Sequence, residues 1–573
     1  IGFKLRVFER GRSRGRGRVS REIQGGDLGG REARQAARAR AGSRRPGKPI
    51  VMMPLAEVRT PPAQPRPGRR SRAAPSTHFT AAGMAVDAPA ARQRGADPLL
   101  GNLLLRLRPD LSAAISILPW QLALLVGFAS FAGVLAWLEP AAALQVLILG
   151  LTVPFLLAVL LRVLALRHAL TGPRHSYDRA EALARLRASP DDSHPTYAVL
   201  VALYDEADVI PGLVEALAAF DYPASRLAIR LVVEEKDART QAAIAAVTLP
   251  VHFSVVVVPD GRPRTKPRAL NYALSRTPGE FVVIYDAEDL PEPDQLRRAL
   301  AAFAAAPPGT GCLQARLNIV NHYESWLTRQ FTIEYTALFD VMLPALEHHG
   351  IPIPLGGTSN HFRRTALEAA LAWDPYNVTE DADLGIRFAR FGLRVGVIAS
   401  TTWEEAPATR RVWLGQRTRW LKGWMQTYLV HMRSPGRLLA ELGLRQFLGF
   451  QLFMVSTIVA PLVHPWFYVV MAADAWNGTF LAAPDGLWSS LLWWLAVVNL
   501  SIGYVSAMLI GLVGVVRRRR ARLVASLAML PFYWLLVSVA AYRALVELAT
   551  APHHWQKTPH RARPAGVAQH KPY

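Results

Sequence analysis

A single cysteine in 573 residues, Cys312, rules out an internal disulfide and a cysteine-based zinc site. Beside Leu313 it reads as a small apolar filler rather than a nucleophile. No Gly-x4-Gly-Lys-Ser/Thr run occurs, which excludes a Walker-type phosphate loop. No apolar core lies near the first residues, so they do not read as a secretory signal. Acidic residues are scarce in residues 1–97, where 7 Asp/Glu face 22 Lys/Arg, so about +15 of the formal +23 sits there. Apolar periodicity is almost missing there too. Residues 1–110 are therefore expected to be a disordered basic arm. Basic residues there are not interleaved with aromatics and no binding motif is present, so no nucleic-acid partner is expected. The chain opens on Ile1, and Met53 or Met84 is an alternative expected start.

Long apolar runs are present. Residues 118–138 and 141–166 are nearly uncharged, and a membrane span needs about 20 such residues. Glu139-Pro140 allows only a tight hairpin between them, so 115–168 reads as a transmembrane pair. Arg106 and Arg108 precede it; Arg162, Arg167 and Arg174 close it. The positive-inside rule puts both ends, and hence the centre of the chain, in the cytoplasm. Three more apolar stretches, 446–473, 487–516 and 523–549, form a C-terminal membrane region over 446–549. Residues 474–486 carry no basic side chain, whereas Arg517–Arg520 and Arg522 form a cationic run. Three spans would leave the basic tail 550–573 outside, so either the rule fails there or one segment lies in the interface. No internal repeat points to an inverted-repeat transporter.

Between these regions the pattern changes. Strands are expected at 197–203, 229–233, 252–258 and 281–285, with helices at 207–220 and 266–276. Such alternation predicts an α/β domain with a mostly parallel sheet covered on both faces. Ligands of such sheets sit at the carboxyl ends of the strands, where Asp205, Asp237 and Asp286 fall.

Asp286-Ala287-Glu288-Asp289 follows an apolar strand and can offer oxygen ligands to Mg²⁺ or Mn²⁺. The run 261–271 is basic and turn-rich and leads into a helix, which suits phosphate. Thr379-Glu380-Asp381 can cap a helix, supply a general base, or do both. Gln416, Arg419 and Trp420 share one helix face, where Arg can hold a phosphate and Trp can stack on a sugar. His348-His349 and His553-His554 lack a spaced third ligand and read as surface residues.

In this order and spacing, Asp-x-Asp/Glu, Thr-Glu-Asp and Gln-x-x-Arg-Trp resemble those of the membrane-integrated, processive family 2 glycosyltransferases. That group contains bacterial cellulose synthase and hyaluronan synthase. The resemblance is close over about 195–432. It implies an A-type cytoplasmic glycosyltransferase domain at 195–433, inserted between transmembrane helices of the inner membrane. It implies a UDP-sugar donor, a glycan acceptor, a lipid bilayer and secretion partners. By resemblance, Asp205 and Asp237 face the uridine and Lys266 lies near the nucleotide. Asp286 and Glu288 take the metal position, with Asp289 close by. Asp381 takes the base position beside Thr379 and Glu380. Gln416, Arg419 and Trp420 hold the diphosphate and acceptor. Glu288 stands where Asp is commoner, which leaves Glu288 or Asp289 to complete the metal site. The rival readings are a non-processive transferase to a lipid or short glycan, and a transport or scaffold protein with a degenerate domain.

Overall fold

The computed structural model describes residues 102–558, apart from 173–176, 178–179, 480–481, 483–484 and 556. The expected basic arm therefore lies outside the described residues up to 101, as does the tail from 559. Residues 102–110, assigned to that arm, are folded: helix α1 is Leu103–Leu107, and Leu104 and Leu111 are buried. Just beyond, Ser112 Oγ (3.0 Å) and Ala113 N (2.6 Å) both donate to the Asp374 carboxylate. A buried carboxylate with two donors ties this segment to the central domain.

Two long helices follow, α2 (Pro119–Leu138) and α3 (Pro140–Thr171). Pro140 opens α3, where its missing N–H costs no helical bond, so the turn at Glu139 is as tight as expected. After α4 (Ala180–Ala188) the domain proceeds β1 (Tyr197–Leu203), α5 (Ile210–Ala218), β2 (Leu227–Glu234), α6 (Ala238–Ala245), β3 (Phe253–Val258), α7 (Lys266–Leu274), β4 (Phe281–Tyr285), β5 (Leu290–Pro291), α8 (Gln295–Ala305) and β6 (Thr310–Ile319). Then come α9 (Trp326–Ala337), a π-turn at Leu338–Met342, α10 (Leu343–His348), β7 (Asn360–Arg363), α11 (Arg364–Ala369), α12 (Glu380–Arg390), β8 (Arg394–Glu404) and α13 (Arg410–His431).

The sheet order is β3-β2-β1-β4-β7-β6-β8-β5. β3, β2, β1 and β4 run parallel, β7 is antiparallel to β4 and β6, and β8 is again parallel to β6. The sheet is thus open and mixed. Alternation along β1 explains its two covered faces: Tyr197, Val199 and Val201 pack with α5 and α8, and Ala198 and Leu200 with α7, α11 and α12. Because β1, β2 and β4 are parallel, the loops after them meet at one edge.

Three helical stretches complete the described chain: α14 (Pro435–Trp476), which Gly443 (φ +70°) breaks into two helices, α15 (Leu487–Arg517) and α16 (Leu530–Thr550). A turn of 3₁₀ helix, Ala521–Met529, leads into α16. Pro119–Leu138, Pro140–Thr171, Pro435–Trp476, Leu487–Arg517 and Ala521–Thr550 are each long and apolar enough to cross a membrane. Their contacts are not alike. α2 begins beside the domain, with Gln121 Nε2 donating to Leu429 O (2.8 Å). α15 ends there, with Arg518 on Asp340 (2.8 Å). The far ends of α3 and α15 meet through Gln145 and Ser489. α16 instead has both ends on α13. Tyr533 contacts Trp413 (3.3 Å) and Arg417 (2.9 Å), and Lys422 reaches Glu547, Ala551 O and His554 O.

Candidate active site

A cavity of about 550 Å³ opens at the strand-end edge. Each sequence cluster reaches it by a different local route. Asp286 and Glu288 arrive on the turn after β4 and line it. Asp289 does not line it: its Oδ2 accepts from Asp286 N (2.7 Å) and from Thr358 Oγ1. It is buried, and burial with Asp286 and Glu288 alongside pushes its carboxyl well up. Asp289 therefore closes the turn, and Glu288 is the second carboxylate facing the cavity. Among the described residues no three His, Cys, Asp or Glu side chains already converge on a metal position. Of the two residues expected to complete a site with Asp286, Glu288 lines the cavity, whereas Asp289 has one oxygen engaged by the turn and by Thr358. Two hard carboxylates still suit Mg²⁺ or Mn²⁺, which commonly take one or two protein carboxylates plus substrate phosphate and water.

Across the cavity, Thr379, Glu380 and Asp381 start α12. Burial raises both carboxyls, that of Glu380 to about 7, with Asp381 adding to it. Lys266 and Arg419 oppose both shifts. Gly357 explains how the two acidic clusters face each other. A Cβ there would meet Asp381 Oδ2 at 3.3 Å and Asp286 Oδ2 at 4.0 Å, so a side chain would crowd the gap between the two carboxylates. Lys266, at the first turn of α7, donates to Asp286 Oδ1 and to Gly357 O (2.7 Å).

Gln416, Arg419 and Trp420 all line the cavity from α13. Gly423 brings this helix close, since a Cβ there would collide with the Thr379 side chain. Within Gln-Arg-Thr-Arg-Trp the two arginines divide. Arg417 turns away into a two-pronged pair with Glu334 (2.6 and 2.7 Å) and onto Tyr533. Arg419 makes no hydrogen bond to another described residue, and its shielded Nε has no partner. Its guanidinium lies over the Trp555 ring at 5.2 Å. Burial lowers its pKa, and the surrounding Glu380, Asp286, Asp381 and Glu288 resist that shift. Trp420 lies near Phe331 (5.8 Å) and Tyr335 (6.4 Å), which makes an aromatic wall.

Asp205 and Asp237 lie beside the cavity rather than in its wall. Asp237 caps α6 by accepting from Thr240 N (3.1 Å), and its other oxygen accepts from Asp205 N (2.6 Å). Asp205 has a left-handed backbone (φ +52°), and its half-exposed carboxylate faces Arg239. Tyr204, Glu206 and Glu234 line that end instead.

Residues 194–423 match the family model described as "Glycosyltransferase like family 2". Over this segment the chain is similar to family 2 glycosyltransferases. Similar curated proteins include a beta-monoglucosyldiacylglycerol synthase of Synechocystis, 28% identical over 52% of this chain and 67% of its own length. A probable glycosyltransferase of Bacillus subtilis is 28% identical over 40% of this chain and 55% of its own. A probable glucomannan 4-beta-mannosyltransferase of Arabidopsis thaliana is 25% identical over 40% and 43%. The chain thus spans about half the length of the latter two. Among solved structures, a mannosyltransferase of Pyrobaculum calidifontis is 20% identical, with a TM-score of 0.47 over 70% of this chain and 98% of that one.

The structure adds to this site a group that sequence reasoning missed. His553, His554, Trp555, Lys557 and Thr558 line the same cavity. His553 Nδ1 meets Tyr376 O (3.1 Å), and Lys557 reaches Asp205 O and Glu206 (3.2 Å). The pair His553-His554, expected on the surface, therefore sits at the cavity mouth, because Lys422 and Gln426 anchor the backbone of 551–554. The sequence signal was a tryptophan and a lysine two residues apart in a tail otherwise read only as basic.

Proposed function

We propose that the protein is an inverting glycosyltransferase that takes a hexose or N-acetylhexosamine from a nucleoside-diphosphate sugar, a UDP-sugar by its motif pattern. It passes the sugar to an acceptor hydroxyl at the inner face of a membrane. The observation that carries this reading is Arg419, a shielded cation without a hydrogen-bond partner among the described residues. It shares one cavity with Asp286, Glu288 and Asp381. Such a guanidinium is ready for an anionic leaving group.

The acceptor oxygen attacks the donor C1 as the bond from C1 to the diphosphate oxygen breaks. Asp381 takes the acceptor proton as general base, and the diphosphate leaves with the bonding electrons, held by Arg419. Asp286 and Glu288 would hold Mg²⁺ or Mn²⁺, which offsets charge gathering on the leaving diphosphate. Trp420, with Phe331 and Tyr335 behind it, presents ring faces on which an acceptor sugar stacks.

The primary reading is extension of a β-linked glycan. A second reading, transfer to a lipid, is favoured by the apolar part of the cavity lining, which includes Leu338, Phe339, Leu343 and Leu355. The Synechocystis relative is named for making a glucolipid. In lipid nanodiscs with labelled UDP-sugars, products that lengthen with time support glycan extension; a single sugar on an extractable lipid supports the second reading. D381N should lower turnover by about 10²–10⁴-fold while nucleotide binding persists. Wild-type turnover in that variant would remove Asp381 from the base position.

A further inference from the structure

Lys266 stands between the two acidic clusters. Its ammonium donates to Asp286 Oδ1 and Gly357 O, and its charge also faces Glu380 and Asp381. Thr265 fixes the start of its helix by donating to Pro375 O (3.0 Å). Pro267 occupies the next helical position, so the backbone aims Lys266 from a rigid turn. The opposite wall is fixed as well: Asp286 N is held by Asp289. Lysine is a compact point charge on a flexible stem, so it can leave one carboxylate oxygen and meet another anion nearby without moving its helix.

Resting on the donor reading above, we propose that Lys266 is a resident counter-cation that competes with the divalent cation for Asp286, and that cation binding transfers Lys266 from Asp286 to the donor diphosphate. Both states keep the cavity near charge balance. Asp286 pairs with Lys266 in one. In the other Asp286 pairs with the cation, and the ammonium pairs with phosphate. Lys266 is on this account a positioning residue for cation and donor, and its two effects have opposite sign.

The test measures Mn²⁺ binding by electron paramagnetic resonance, and UDP binding by calorimetry, on full-length wild type, K266A and K266R in nanodiscs. Without nucleotide, K266A should bind Mn²⁺ about tenfold more tightly than wild type, the scale of one charge-assisted hydrogen bond released from Asp286. With Mn²⁺ present, K266A should bind UDP more weakly. K266R, which keeps the charge, should stay near wild type in Mn²⁺ affinity and report that the fold is intact. A merely structural lysine would weaken both ligands together in K266A. Unchanged or weaker Mn²⁺ binding by K266A overturns the proposal alone. Failure of Mn²⁺ to bind any of the three proteins, with or without UDP, overturns the cation reading and this proposal with it.

Discussion

Glu380 and Asp381 are adjacent at the first turn of α12, where the helix dipole and Lys266 favour their ionised forms and burial opposes them. Burial wins, and the carboxyl of Glu380 rises to about 7. The two groups interact, so a titration reports the pair. A general base works only when ionised, and burial raises the Asp381 carboxyl, so kcat/KM should fall on the acid side at a pH above the ordinary aspartate value. Stability runs the other way. A carboxyl raised on folding favours the folded state most below its unfolded value of 4.5, and that contribution is lost as pH rises through about 7. Donor-free protein should therefore unfold at a lower temperature at pH 8 than at pH 5, and E380Q should flatten the slope. A slope unchanged in E380Q would show that another group sets it. Side-chain direction was the part of the site least legible from sequence. Asp205, Asp237 and Asp289 lie in the expected loops, yet Asp237 and Asp289 are bound by backbone N–H groups. Strand ends locate a carboxylate to within a loop; which way it turns depends on which N–H groups the fold leaves without a partner.

At the scale of elements, the strands were readable because each face of the sheet is buried. Continuous apolar runs such as Tyr-Ala-Val-Leu-Val-Ala-Leu can be little else when flanked by turns. β4 spans the expected residues, whereas the expected helix 207–220 shortens to α5 behind a 3₁₀ turn, with Pro211 near its start. β5 and β7, of two and four residues, left no usable pattern, and they are what make the sheet mixed. The spacing of Gln416, Arg419 and Trp420 put them on one face, but not what that face meets. That depends on close packing of α13 on the loop before α12, where Gly423 touches Thr379. G423A should push these two elements apart. We expect a loss of about 1–3 kcal/mol in unfolding free energy, as for other overpacked sites. A larger proportional loss in turnover than in nucleotide affinity should accompany it, since Asp381 moves relative to Arg419. G423A with wild-type turnover and stability would mean the contact is slack.

Across the whole molecule, hydropathy found every long apolar helix but not which of them cross. A span and a helix lying along the interface have the same composition when both bury an apolar face, and only their contacts distinguish them. α2 starts, α3 ends and α15 ends beside the α/β domain, and α14 leaves it at Leu438 and Leu442, packed against Ile386. These four helices thus read as two out-and-back pairs. α16 packs lengthwise on α13 through Leu421, Met425, Ala540, Ala541 and Ala544, and is bonded to it at both ends. A helix so held does not need to cross; if the other four cross, the basic tail would lie on the side of the α/β domain, as the positive-inside rule asks. Cys312 is fully buried, so introduced cysteines can be labelled against a silent background. In sealed vesicles of known orientation, H554C should react with an impermeant maleimide only from the side that also exposes the α/β domain. D485C, in the loop between α14 and α15, should react only from the other side. Labelling of both positions from one side would mean that α14 and α15 are not an out-and-back pair. Labelling of H554C from the side opposite the domain would make α16 a fifth crossing, and it would remove Trp555 and Lys557 from the cavity mouth.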